Sequence, residues 1–235
     1  MKAAEVAELY RRLADRTPNP ETELDYVNDY TLLVAVVLSA QATDASVNIA
    51  TRELFKTVNT PQAMLELGEE RLRETIKTIG LFNTKAKNVI LLSRVLVDQF
   101  DGQVPADRDL LMALPGVGRK TANVVMNTAF GAETFAVDTH IFRVSNRTGL
   151  APGKNPLEVE LGLDKATPPP YRRDAHHLLI LHGRYVCKAR TPECWRCVIA
   201  DICRYQPKTP APGSEEEAGM LAAGKKKRVA AGKSL

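Results

Sequence analysis

Leu114-Pro115-Gly116-Val117-Gly118-Arg119-Lys120-Thr121-Ala122-Asn123 is the stretch from which the fold of this chain is read. Gly116 and Gly118 permit positive φ and leave backbone N–H groups uncovered at the start of a helix, an arrangement that suits an anion. The stretch is not a dinucleotide fingerprint, because Thr121 stands where the third glycine belongs and no strand–helix–strand unit surrounds it. It is not a P-loop either, since the spacing to Gly-Lys is wrong. What remains is a hairpin able to clamp a phosphodiester through its amides, or a plain turn between two helices. Taken alone, the stretch favours neither. Lys120 falls in the first turn of the following helix, at the end of the macrodipole that disfavours an ammonium ion. A lysine nucleophile has to be neutral to attack, although an exposed lysine with no role is the commoner case.

Downstream lies Ala136-Val137-Asp138-Thr139-His140-Ile141-Phe142-Arg143. Asp138 is placed to cap a helix. A capping aspartate is also rigid and ionised, and such a carboxylate beside a sugar carbon stabilises oxocarbenium character. The four cysteines follow in one cluster, Cys187-x6-Cys194-x2-Cys197-x5-Cys203. Four thiols so close together are a metal site rather than a disulfide framework. Structural zinc and a [4Fe–4S] cluster both accept four cysteines, and the six-residue first gap matches the usual spacing of neither. Four ligands leave no open coordination position, which points to a structural role. The first gap, Lys188-Ala189-Arg190-Thr191-Pro192-Glu193, is a basic loop suited to a phosphate backbone.

The rest of the chain reads as all-α. Residues 31–40 are apolar throughout, so periodicity cannot separate a strand from a buried helix; Asn28 or Asp29 as a cap and the lack of an alternating partner strand favour helix. Thr60-Pro61 opens a helix and Gly68 suits its end. Helices are expected over 69–78, 84–100, 108–113, 119–130, 139–148, from Pro156, and over 175–186, with Pro168-Pro169-Pro170 as a break. Lys85-x-x-Asn88-Val89 echoes Lys120-x-x-Asn123-Val124 at an offset of 35, each behind a short interhelical loop.

The 235 residues are 44% apolar and 26% charged, an ordinary balance for a globular protein, and no apolar run approaches the roughly 20 residues of a membrane span. Glu5, Glu8 and Asp15 interrupt the N-terminus, which carries an amphipathic stripe rather than a signal or transit peptide, so an intracellular protein is expected. Half of the net charge of +4 sits beyond Pro212, where Lys225, Lys226, Lys227, Arg228 and Lys233 outweigh Glu215, Glu216 and Glu217. Two basic stretches remain, 71–94 and 172–197, and either is a DNA patch or a solvated helix face.

Together the hairpin lysine, Val137-Asp138-Thr139-His140, Leu38-Ser39-Ala40-Gln41-Ala42-Thr43-Asp44, Ile79-Gly80-Leu81 and the cysteine spacing resemble the endonuclease III family. These are bifunctional DNA glycosylases of the helix–hairpin–helix superfamily, and the resemblance spans Val6 to Tyr205. It implies a two-domain all-α fold with a DNA cleft between the halves. A six-helix barrel would cover 23–132 and an iron–sulfur domain 1–22 with 133–211, followed by a disordered basic tail over 212–235. It implies base-excision repair of duplex DNA that carries oxidised pyrimidines or abasic sites, by a cytoplasmic, nucleoid-associated monomer. Lys120 matches the nucleophile of the family and Asp138 its essential carboxylate; Cys187, Cys194, Cys197 and Cys203 match the ligands of its [4Fe–4S] cluster. Gln41 and Leu81 match the residues that fill the gap in the duplex and wedge the opposite strand. Gly116, Gly118, Arg119, His140, Lys188 and Arg190 complete the implied DNA contacts. Phe82 and Asn83 depart from the family, in which a tyrosine is common after the wedge leucine. A superfamily relative with another base specificity is the first alternative, but such relatives lack the lysine at position 120. A non-enzymatic DNA-binding or redox-sensing protein is the second, and it has no need of the pair Lys120 and Asp138.

Overall fold

A computed structural model describes residues 1–220; of the tail expected from 212, residues 215–220 are helical and the lysine-rich remainder lies outside the described residues. The chain runs α1 (Ala3–Arg16), α2 (Asp29–Leu38), α3 (Asp44–Thr51), α4 (Leu54–Thr57), α5 (Pro61–Thr75), α6 (Phe82–Phe100), α7 (Arg108–Met112), α8 (Arg119–Phe130), α9 (Thr139–Thr148), α10 (Pro156–Ala166) and α11 (Ala175–Tyr185). Two 3₁₀ turns, Pro169–Tyr171 and Cys194–Arg196, lie on either side of α11, and no strand occurs among the described residues. No helix among them is long and apolar enough to cross a membrane.

The ambiguous apolar run is a helix because Asn28 caps it, its side chain accepting from the Thr31 amide at 2.9 Å. With Thr31 through Leu38 all at most 5% exposed, α2 is apolar on every face and forms the middle of a core rather than an amphipathic stripe. It packs on α3, α6 and α8, while α5 lies along α6 and α7 along α8. These helices belong to one compact unit, Glu21–Ala136. A deep polar pair in it, Tyr30 Oη with Ser93 Oγ at 2.6 Å, leaves neither hydroxyl unsatisfied.

A second unit joins Met1–Pro20 to the chain from Val137 onward. The N-terminal stripe Val6, Leu9, Tyr10 and Leu13 is buried, and α1 packs on α11, which also packs on α9. Tyr10 stacks on Tyr171 at 5.7 Å between ring centroids and shares a hydrogen bond of 2.9 Å with Thr167.

Several boundaries shift from expectation for local reasons. Gly68 breaks α5 with φ +81 and ψ +161, ending the first segment where it was expected, but the second closes at Thr75 instead of 78. α6 starts at Phe82 rather than 84, because Leu81 adopts the left-handed conformation that launches it. The basic stretch 71–94 is not a uniform face. Arg73 and Lys77 pair with Glu70 and Glu74, and Lys85 is only 5% exposed, its Nζ without a hydrogen-bond partner and its pKa pushed down by burial.

Candidate functional site

In the hairpin, buried Leu114 and Val117 anchor the turn while Gly116 and Gly118 stay exposed. The Val117 amide donates to the Leu114 carbonyl at 3.1 Å and closes it. Gly118 is the N-cap of α8 and brings no side chain, so no side-chain cap covers the first amides of that helix. Lys120 is exposed in that first turn, and its side chain makes no hydrogen bond or ion pair to any described residue. Arg119 beside it is half-buried.

Gly116 is a required glycine twice over. Its φ is +79, and a Cβ there would lie 2.9 Å from Cβ and Nδ2 of Asn88 on α6. Asn88 thus props the hairpin from behind, a contact between the two echoing units that periodicity did not reveal. Gly116→Ala is expected to cost about 1–3 kcal/mol from strain and overlap. A thermal melt and a duplex titration check it: both Tm and DNA affinity should fall, and unchanged values would remove the hairpin from the account.

Further along α8, buried Asn123 donates from Nδ2 to the Phe135 carbonyl at 2.9 Å, and Thr134 Oγ1 donates to the Asn123 carbonyl at 2.7 Å. The segment after α8 is therefore strapped to it until the chain reaches Val137.

Asp138 is the N-cap of α9, and its Oδ1 accepts from the His140 and Ile141 amides at 2.9 and 2.8 Å. The cap uses one oxygen only; Oδ2 accepts no hydrogen bond from any described residue. One side chain can therefore cap the helix through Oδ1 and still present a second carboxylate oxygen. The His140 ring meets Arg143 at 3.2 Å, and Arg143 donates to the Gly183 and Cys187 carbonyls at 2.8 and 2.9 Å. Arg147, a turn later, donates to the Lys188 and Ala189 carbonyls at 2.7 Å each and lies over the Tyr205 ring. Neither arginine was singled out from the sequence, because their partners are backbone carbonyls some 40 residues away.

Gln41 and Leu81 lie in neighbouring loops: a Cβ on Gly80 would come within 3.9 Å of the Gln41 carbonyl. Both are exposed, and both hold positive φ, +54 and +61, which few side chains tolerate.

Cys187, Cys194, Cys197 and Cys203 are all free thiols and line one cavity together with Val186, Pro192 and Ile199. Burial pushes the Cys197 thiol up to about 11, and the neighbouring cysteine sulfurs push it the same way. Bound iron offsets that penalty, so the donor set fits an iron–sulfur group. Among the described residues no three such side chains converge as they would on a single ion. Lys188 and Arg190 are exposed on the loop that leaves Cys187.

Of the expected site residues, the structure gathers Gly116, Gly118, Arg119 and Lys120 at one turn, Gln41 and Leu81 at adjacent loops, and Asp138 and His140 at the head of α9. Lys120 and Asp138 fall in different compact units.

The profile of HhH-GPD superfamily base excision DNA repair proteins matches residues 34–169, and that of the iron–sulfur binding domain of endonuclease III matches residues 187–203, whose ends are Cys187 and Cys203. Endonuclease III of Escherichia coli strain K12 is 57% identical over 208 residues, covering 88% of this chain and 99% of the relative. Endonuclease III of Rickettsia conorii is 56% identical over 205 residues, covering 87% and 98%. Among solved structures, a trapped endonuclease III–DNA covalent intermediate in an estranged-adenine complex superposes with a TM-score of 0.81 at 44% identity, over 87% of this chain and 96% of that one. With the hairpin, the capping aspartate and the cysteine cavity in place, the chain belongs to the endonuclease III family of the HhH-GPD superfamily, base-excision-repair DNA glycosylases with AP-lyase activity that carry a [4Fe–4S] cluster.

Proposed function

We propose that this glycosylase removes oxidised pyrimidines from duplex DNA and nicks the resulting abasic site, with Lys120 as nucleophile and Asp138 as the essential carboxylate. The observation that carries the assignment is an unpartnered, exposed Lys120 directly behind a turn of uncovered amides. Those amides grip the backbone without reading sequence. The target nucleotide leaves the stack, since its sugar carbon is unreachable inside it. The deprotonated Lys120 amine forms a bond to C1′ as the C1′–base bond breaks, and the base leaves with its electron pair. Ring opening gives a Schiff base, and loss of a C2′ proton expels the 3′ phosphate by β-elimination. Asp138 Oδ2, spared by the cap, stabilises the cationic sugar and assists the proton transfers. A trapped covalent complex of the relative noted above supports the same course here.

Cys187, Cys194, Cys197 and Cys203 would hold the cluster, which supplies a structural cross-link between the two ends of the basic loop. Lys188 and Arg190 then meet phosphates, and His140 contributes from α9. Duplex DNA as substrate supports a place of work in the cytoplasm, at the nucleoid.

Gln41 and Leu81 enter the duplex, and their left-handed backbones hold the side chains outward for it. Leu81→Gly is expected to leave stability unchanged or raise it by up to about 1 kcal/mol, because glycine accepts that φ freely. Excision under single turnover should nevertheless slow by at least about tenfold, the equivalent of about 1.4 kcal/mol. A fall in Tm with excision unchanged would make Leu81 a structural residue. Substrate class is tested by comparing excision from thymine-glycol duplexes with adenine opposite 8-oxoguanine and with a T·G mismatch. The thymine-glycol duplex should be processed fastest, and a preference for either other duplex would overturn the assignment.

A further inference from the structure

The cysteine loop carries an anion that faces its own cations. Glu193 Oε1 accepts from Lys188 Nζ at 2.6 Å, and Oε2 is taken by Arg196. The Glu193 amide donates to the Val186 carbonyl at 2.9 Å, so the carboxylate is fixed at the base of the loop, and its side chain is only 16% exposed. Lys188 is 48% exposed, and Glu193 supplies its one ion pair among the described residues. Arg196 has a second anchor, the Tyr185 carbonyl at 2.8 Å, and stays tethered whatever Glu193 does. The cation whose restraint depends on Glu193 is therefore Lys188.

We propose that Glu193 is an internal counter-anion that withholds Lys188 from the DNA backbone and so lowers affinity for duplex DNA. The inference rests on the reading of the loop as a phosphate contact. A phosphate seeking Lys188 must displace a preorganised carboxylate, and the same carboxylate repels the phosphate. The arrangement sets affinity below what the loop's cations would otherwise give, which favours release of a nicked product. A single ion pair whose ammonium is 48% exposed is weak enough to be exchanged for a phosphate.

The test uses the full chain with its cluster intact, checked by visible absorbance, and a duplex bearing a tetrahydrofuran abasic analogue that cannot be cleaved. Affinity is measured by fluorescence anisotropy across a salt series for the native protein, Glu193→Gln, Lys188→Gln and the double variant. Glu193→Gln is expected to bind roughly three- to tenfold tighter at low salt, with the slope of log K against log salt steeper by about 0.9, the increment of one added phosphate contact. In the Lys188→Gln background, Glu193→Gln should then change the salt slope little. Equal tightening in both backgrounds would mean that the carboxylate merely repels DNA, and it would overturn the withholding of Lys188. Weaker binding by Lys188→Gln, with Glu193→Gln unchanged, would refute the counter-anion and keep the loop as a contact. Binding by the double variant equal to that of Glu193→Gln, in affinity and in salt slope, would refute the contact itself, and the proposal with it.

Discussion

Lys120→Gln should bind an abasic-analogue duplex within a few-fold of the native protein and yet fail to process a lesion. Loss of a nucleophile elsewhere lowers turnover by roughly four to six orders of magnitude, and a loss of that order is expected here. Glutamine keeps the length and polarity of the side chain but has no amine to form the Schiff base, so both base release and strand cleavage should stop. The fold has little reason to respond, since Lys120 is exposed and its side chain makes no ion pair or hydrogen bond to a described residue. Single-turnover cleavage and a thermal melt separate these effects. Residual lyase activity near the native rate would mean that another amine performs the attack.

Asp138→Asn should have the next largest effect, and it divides the two tasks of one side chain. Asparagine caps helices as well as aspartate does, so the bonds from the His140 and Ile141 amides should persist and Tm should move little. The negative charge on the second oxygen is lost, and base release is expected to slow by roughly 10²- to 10⁴-fold, the range for removal of a general acid–base or a charge-stabilising group. Asp138→Ala should be as inactive and, in addition, less stable by about 1 kcal/mol through loss of the cap. If Asp138→Asn kept native activity while Asp138→Ala lost it, capping alone would explain the residue.

Much of this was legible in the sequence because local chemistry decided it. α8 begins at Arg119 and ends at Phe130 because Gly118 and Gly131 bracket it, and α9 closes at Thr148 before a left-handed Gly149. Asn28 and Thr60 announced their helices as caps. What escaped was decided by neighbours distant in sequence. Lys85 counted as one more cation in a basic stretch, yet α6 turns it into the interior. The sequence placed Gly116 in a turn, but only packing shows Asn88 pressed against it. Glu193 stood at the end of a loop read as basic, and nothing in the spacing told that it would hold Lys188. The left-handed backbones of Gln41 and Leu81 are likewise imposed by the loops that carry them, since neither residue type seeks that conformation.

The most direct measurement reduces the Schiff base with borohydride during reaction with a thymine-glycol duplex, digests the trapped complex and maps the modified peptide by mass spectrometry. The account predicts a sugar remnant on Lys120 and on no other residue, and no adduct from Lys120→Gln. A remnant on another lysine or on the N-terminal amine, or complete base release without any trapped complex, would contradict it.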